Sequence, residues 1–195
     1  KSKGCSALIS FNKSNILHNQ YSVIKQNFPN CKIIYIGGFE SKKIESVVSK
    51  QYQDIIFINN ELYDQKNEGY SLFLSKDFLD ENTMIISGYS LLEDKLFRVF
   101  CPGDYSHVFI SSKNDNEIGC AIQNNSVLHI DFGLDNHITD MYYICKAHIG
   151  YLKSIVEDNS FHNCFLFELI NKLIDKELTI KPYYKIVKKK YGYIK

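Results

Sequence analysis

Three short apolar runs, separated by stretches whose apolar residues recur at helical spacing, constrain this fold more than any other feature. The runs occupy residues 31–36, 54–58 and 83–87. A short apolar run bounded by turn residues reads as a strand buried on both faces. Between the first two runs, Ile44, Val47 and Val48 mark one face of a helix over 40–50. Ahead of the first, Leu17, Tyr21, Ile24 and Phe28 mark another, which Pro29 and Asn30 end. Strand, helix and strand joined by short connections imply parallel strands with right-handed crossovers. The run 5–10 reads as a buried strand ahead of these. The expectation is a doubly wound arrangement with the first three or four strands parallel, in the order 3-2-1-4.

The second half changes character. Tyr70, Leu74 and Phe78 predict a helix, and 91–97 a shorter one. Residues 107–111, 117–123, 127–132 and 138–145 read as strands split by turns rich in Asn and Asp, which predicts antiparallel pairing. Helices follow over 147–157 and 161–176, then a strand over 179–187. The fold class read from this order is a three-layer α/β domain with a mixed sheet and a Rossmann-like N-terminal half. It is expected to be one domain over residues 1–195.

Composition narrows the partners. Hydrophobic residues make up 45% of the chain, enough for a sizeable core. Lys and Arg total 23 against 22 Asp and Glu, so no general field draws nucleic acid or an anionic membrane. Arg98 is the only arginine, which leaves phosphate recognition to Lys, backbone N–H groups or metal. The six cysteines form no CxxC pair, and Cys5, Cys31, Cys120 and Cys145 read as small buried hydrophobes of a reducing, cytoplasmic compartment. No apolar run approaches membrane-spanning length and no leader pattern opens the sequence, so no membrane partner is expected. His18, His107, His129, His137, His148 and His162 lack metal-site spacing and read as structural or surface residues. The run 185–193 mixes Lys and Tyr, a combination that binds single-stranded nucleic acid. It is short, and a solvated edge strand or basic tail is the expected reading, so no nucleic-acid partner is expected.

Four stretches carry a resemblance: Asn15-Ile-Leu-His-Asn-Gln-Tyr-Ser-Val-Ile24, Lys32-Ile-Ile-Tyr-Ile-Gly-Gly-Phe-Glu-Ser41, Ile58-Asn-Asn-Glu-Leu-Tyr-Asp-Gln-Lys-Asn-Glu-Gly-Tyr-Ser-Leu72 and Met84-Ile-Ile-Ser-Gly-Tyr89. In this order they resemble the sugar-phosphate and choline-phosphate nucleotidyltransferases. That implies a nucleotide-diphospho-sugar transferase-like fold, a nucleoside triphosphate and Mg²⁺ as ligands, and pyrophosphate as product. Two departures stand out. Relatives carry a long Gly-rich loop with Arg and Lys after the first strand, where 10–15 holds no Gly and only Lys13. Relatives also place a metal-holding Asp where Tyr89 stands, and a phenol is a poor Mg²⁺ ligand near neutral pH.

The candidate residues each have two readings. Lys13 contacts a phosphate or is a solvated loop charge. Gly37 and Gly38 admit a ligand or form a plain strand-to-helix turn. Asn67 and Ser71 bind a nucleotide or substrate, or start a helix with Asn67 as N-cap. Glu168 faces the site as an acid or is a solvated helix residue. Asp94 replaces the lost metal ligand or sits on a helix surface. Tyr89 projects into the crevice at the end of its strand or packs into the core. Loss of both loop and metal carboxylate favours a degenerate, catalytically inactive module with a protein partner on its Tyr-, Phe- and Lys-rich surface. The alternative is an active Mg²⁺-dependent enzyme joining a nucleoside monophosphate to a phosphorylated sugar or alcohol.

Overall fold

The computed structural model describes residues 5–11, 14–111 and 117–184. The chain opens with a 3₁₀ turn, Ser6–Leu8, and a minimal hairpin of β1 (Ser10–Phe11) and β2 (Ser14–Asn15). Helix α1 (Ile16–Asn27) follows, capped by Asn15, whose Oδ1 accepts the His18 N–H at 2.8 Å. Then come β3 (Ile33–Gly37), α2 (Ser41–Gln51), β4 (Ile55–Asn59), α3 (Glu68–Leu74), β5 (Thr83–Ile86) and α4 (Asp94–Val99). The second half runs β6 (Ser106–Ile110), β7 (Ile118–Gln123), β8 (Ser126–Phe132), β9 (Asn136–Ile144), α5 (Lys146–Val156), α6 (Leu166–Asp175) and β10 (Ile180–Tyr184).

Strand β9 is the axis of a six-stranded mixed sheet. One edge pairs antiparallel with β6, which carries β10 in parallel beyond it. The other edge pairs antiparallel with β5 toward the C-terminal end of β9 and with β7 toward its start. Strand β8 closes that side against β7. Because side chains alternate, Met84, Ile86, Met141 and Tyr143 face α1 and α4. Ile85, Tyr142 and Ile144 face α3, α5 and α6. The result is helix, sheet and helix in three layers, the mixed α/β architecture expected.

The N-terminal half pairs differently from the expectation. Strands β3 and β4 are parallel, as the β-helix-β reading requires, but they form a separate two-stranded sheet. Residues 5–10 form no central strand. Ala7 instead packs with Leu17, Ile44 and Val48 above α1 and α2, and the Cys5 N–H donates to Glu40 Oε2 at 3.1 Å. The order 3-2-1-4 is therefore replaced by β3–β4 beside the six-stranded sheet, with β5 antiparallel to β9. The predicted helix over 161–176 begins only at Leu166, after a 3₁₀ turn Asn159–Phe161. No helix among the described residues is long and apolar enough to cross a membrane.

Candidate functional site

A cavity of about 1120 Å³ lies between β3 and β5 and opens at the ends of these strands. Ser87, Gly88 and Tyr89 line it at the start of the segment from Ser87 to Leu92, which follows β5. Helix α1 clamps that segment. The buried Gln20 donates both hydrogens of its amide, to the Ser87 and Ser90 carbonyls, each at 2.8 Å. Asn19 completes a reciprocal pair with the Leu92 backbone at 2.8 and 3.2 Å. Within the loop the Ser90 N–H already donates to the Ser87 carbonyl at 3.1 Å, so the buried amide adds a second bond there and supplies a partner to the Ser90 carbonyl.

Tyr89 leaves this loop 55% exposed and lines the cavity. Desolvation raises its phenol pKa, a Ser87 hydrogen bond opposes this, and the Asp140 carboxylate adds to the rise. Asp140 projects from β9 and lines the same rim. Glu68, at the start of α3, completes the polar group. Its Oε2 accepts the Leu166 N–H at 2.7 Å. Although Glu68 as a residue is exposed, desolvation of its carboxyl raises the pKa, the Leu166 bond opposes this, and Asp140 adds to it. The buried Tyr142 beneath them is held protonated by burial and then by these same charges.

Beside Glu68, which holds the backbone of Leu166, stands an aromatic wall. Phe165 and Phe167 are parallel, with centroids 6.0 Å apart, and Phe132 meets Phe167 edge-on at 5.6 Å. All three line the cavity. The rim thus presents the Asp140 carboxylate, a phenol and a flat apolar face. Such a set suits a ring or alkyl group held on one side and hydroxyl or cationic donors on the other.

The candidates drawn from sequence divide. Tyr89 and Ser71 line the cavity, although Ser71 Oγ already accepts from Asn60 Nδ2 at 3.1 Å. Gly37 and Gly38 do not line it; a Cβ there would meet the Phe57 ring at 2.8 Å and Tyr63 Cβ at 2.3 Å, so close packing explains both. Asn67 occupies the N-cap position of α3 without a side-chain cap bond, and its amide donates instead to Asn163 O at 2.6 Å. Glu168 accepts the Phe165 N–H at 2.6 Å and caps its own helix. Lys13 and the run 185–193 lie outside the described residues. The histidines stay apart: His18 bonds Tyr52 Oη, His148 bonds Ser106 Oγ and His162 bonds the Val156 carbonyl.

Sequence reasoning missed Asp140 and Glu68 because nothing local distinguishes them. They meet only through the pairing of β5 with β9 and the docking of α3 on α6. Gln20 and Glu68 did stand inside stretches that carried the resemblance.

The described residues do not fit the Mg²⁺ that the resemblance implies. Asp94 lies on α4 with Oδ1 accepting from Asn27 at 2.9 Å and Oδ2 paired with Arg98 at 2.5 Å. Glu68 is spent on an amide, and Tyr89 offers a protonated phenol. Among the described residues no group of three or more His, Cys, Asp or Glu side chains is placed to hold a metal ion.

The architecture defines the class: this is the Rossmann-like nucleotidyltransferase fold. The CTP:phosphocholine cytidylyltransferase of Streptococcus pneumoniae matches with a TM-score of 0.72 at 18% identity, over 94% of this chain and 81% of that one. The inositol-1-phosphate CTP transferase of T. maritima matches at 0.74 and 15%, over 92% and 76%. A putative glucose-1-phosphate thymidylyltransferase of Bacillus anthracis matches at 0.69 and 15%, over 93% and 78%. No protein-family model matches the sequence, and no curated protein matches it.

Proposed function

We propose that the protein is a nucleotidyltransferase that joins a nucleoside monophosphate to a phosphorylated alcohol or sugar. In that reaction an acceptor phosphate oxygen forms a bond to the α-phosphorus. The bond to the β-phosphate oxygen breaks, and pyrophosphate leaves. The observation that carries the reading is the crevice after β5. Open α/β sheets bind ligands at such strand ends, and here the loop is fixed from behind by Gln20 and Asn19. Three proteins of this fold bear the names of cytidylyl or thymidylyl transferases. The contribution of this chain's own residues is binding and orientation. The Phe165 and Phe167 wall covers an apolar face of the ligand, and Asp140 accepts a hydrogen bond from it.

The test is a panel of nucleoside triphosphates with phosphocholine, inositol-1-phosphate and glucose-1-phosphate, read as pyrophosphate release and as heat of binding. We expect saturable binding of at least one triphosphate below about 1 mM, the upper end of ordinary KM values. Asp140→Ala should weaken turnover about tenfold or more with binding of the triphosphate retained. Absence of binding by every triphosphate would contradict the reading.

A second reading, a binding module without catalysis, is favoured by one observation: Tyr89 stands on the crevice rim where relatives place a metal carboxylate. It predicts triphosphate binding without pyrophosphate release, both in the natural protein and in Tyr89→Asp.

A further inference from the structure

The two rings of the aromatic wall are held unequally. Phe167 is 6% exposed and packs in the core, with Phe132 edge-on against it. Phe165 lies parallel to Phe167 and lines the crevice, yet it is 45% exposed. A ring with contacts on one face keeps its place only as firmly as its backbone is fixed. Phe165 is the N-cap of α6, where the first N–H groups have no partner inside the helix. Two carboxylates pin this end. Glu168 accepts the Phe165 N–H at 2.6 Å from within the same helix. Glu68 accepts the Leu166 N–H at 2.7 Å from α3, 98 residues away in sequence.

The residues on either side of Glu68 are fastened to the same loop. The Asn67 N–H donates to the His162 carbonyl at 3.3 Å, and its side-chain amide donates to the Asn163 carbonyl at 2.6 Å. The Gly69 N–H donates to the Cys164 carbonyl at 3.1 Å. Gly69 allows this approach, since a Cβ there would stand 2.1 Å from the Phe161 carbonyl oxygen. His162 anchors the loop from beneath: it is 6% exposed, it bonds the Val156 carbonyl at 3.1 Å, and the Phe73 ring of α3 lies 4.5 Å from its own. All the bonds from Asn67 and Gly69 end before Phe165. Only the bond from Glu68 reaches past it, to the residue between the two rings.

We propose that Glu68 is a positioning residue whose carboxylate fixes the Phe165 ring over the crevice, and so sets how tightly the apolar face of the phosphorylated co-substrate is held. The proposal rests on the crevice being the ligand site argued above. A carboxylate suits the task, because hydrogen bonds to ionised groups are about twice as strong as neutral ones and negative charge is favoured at a helix N-terminus. Without it, Phe165 is tethered through its own helix alone. The ring touches a part of the co-substrate that does not react, so its contact is made equally in the ground state and the transition state. Loss of such a contact changes KM and leaves kcat unchanged.

The chain contains no Trp, so Phe165→Trp supplies a single indole at the wall. Its time-resolved anisotropy is read without ligand, alone and combined with each change at Glu68. We expect an indole that turns only with the whole protein while Glu68 is present, and added local motion on the nanosecond scale in Glu68→Ala. Glu68→Gln keeps an acceptor for the Leu166 N–H and should restore the order. Ile44→Ala truncates the core between α1 and α2 and should leave the indole ordered, which separates positioning from a general loss of stability. With Phe165 in place, Glu68→Ala should raise the KM for the phosphorylated co-substrate about tenfold, while kcat and triphosphate binding stay within about twofold. Glu68→Gln should return that KM to within about twofold of the natural value. An indole just as ordered in Glu68→Ala overturns the proposal, as does one loosened equally by Ile44→Ala, or a KM that ignores the loss of the carboxylate. If the natural protein turns over none of phosphocholine, inositol-1-phosphate and glucose-1-phosphate, the proposed function fails, and the anisotropy alone decides the role of Glu68.

Discussion

The two sheets are built from similar sequence and end in different environments. In the six-stranded sheet, β9 is paired along both edges and sandwiched by helices, and Ile138 and Ile144 are at most 1% exposed. In the two-stranded sheet, β3 has a run just as apolar, yet its isoleucines remain half-buried. The difference lies in neighbours rather than residues: a strand is buried when both edges and both faces are covered. Stability should therefore concentrate in the six-stranded half, and the β3–β4 half should depend on its attachment through α1.

Core truncation separates the halves most sharply. Leu152 is fully buried among α5, α6 and the sheet. Leu152→Ala should cost about 2–5 kcal/mol in urea unfolding. Ile34→Ala, on the half-buried strand, should cost no more than about 1 kcal/mol, because partly exposed side chains lose less on truncation. Equal costs would contradict the contrast.

Cutting the attachment comes next. Gln20→Leu removes both hydrogen bonds from α1 to the carbonyls of Ser87 and Ser90. Losing both bonds, with the Ser87 carbonyl still accepting the Ser90 N–H, should cost about 1–3 kcal/mol. Exchange of the β3 and β4 amides should accelerate more than exchange of β9. Uniform acceleration would mean that the halves open together.

The smallest effect is on pH dependence. Desolvation first, and Asp140 second, raise the folded pKa of Glu68. A carboxyl whose folded pKa lies above its unfolded value contributes stability below the unfolded pKa and loses it as pH rises through the folded one. Glu68→Gln keeps an acceptor for the Leu166 N–H but cannot ionise. The variant should gain on the natural protein in thermal melts as pH rises above the ordinary glutamate range. A gap that stays constant with pH would remove Glu68 from the account.

Much of the order of elements was legible because helical and strand periodicities differ. The turns at Pro29 and Gly37, the run 138–145 and the stripe of Phe165, Leu169 and Leu173 all mark real elements or their boundaries. The role of residues 5–10 was not legible. A short apolar run is equally consistent with a central strand and with a turn packed on helices, and Ala7 took the second course beside Ile44 and Val48. The site was less legible than the fold. Tyr89 was readable because a strand end places the next residues at a crevice. Asn67, read as a ligand contact or an N-cap, occupies the N-cap position but gives its amide to the Asn163 carbonyl, and Glu168, read as a site acid or a solvated helix residue, caps its own helix. Asp140 came into view only through register, since it is the partner of the residue after β5: the Ser87 N–H donates to its carbonyl at 3.0 Å.

The most direct test of the nucleotide crevice is an amide-exchange footprint of the protein with and without a nucleoside triphosphate from the panel. The account predicts protection over 87–92 and around Asp140 and Phe165, with β7 and β8 unchanged. Protection elsewhere, or none at a concentration that saturates the heat of binding, would contradict it.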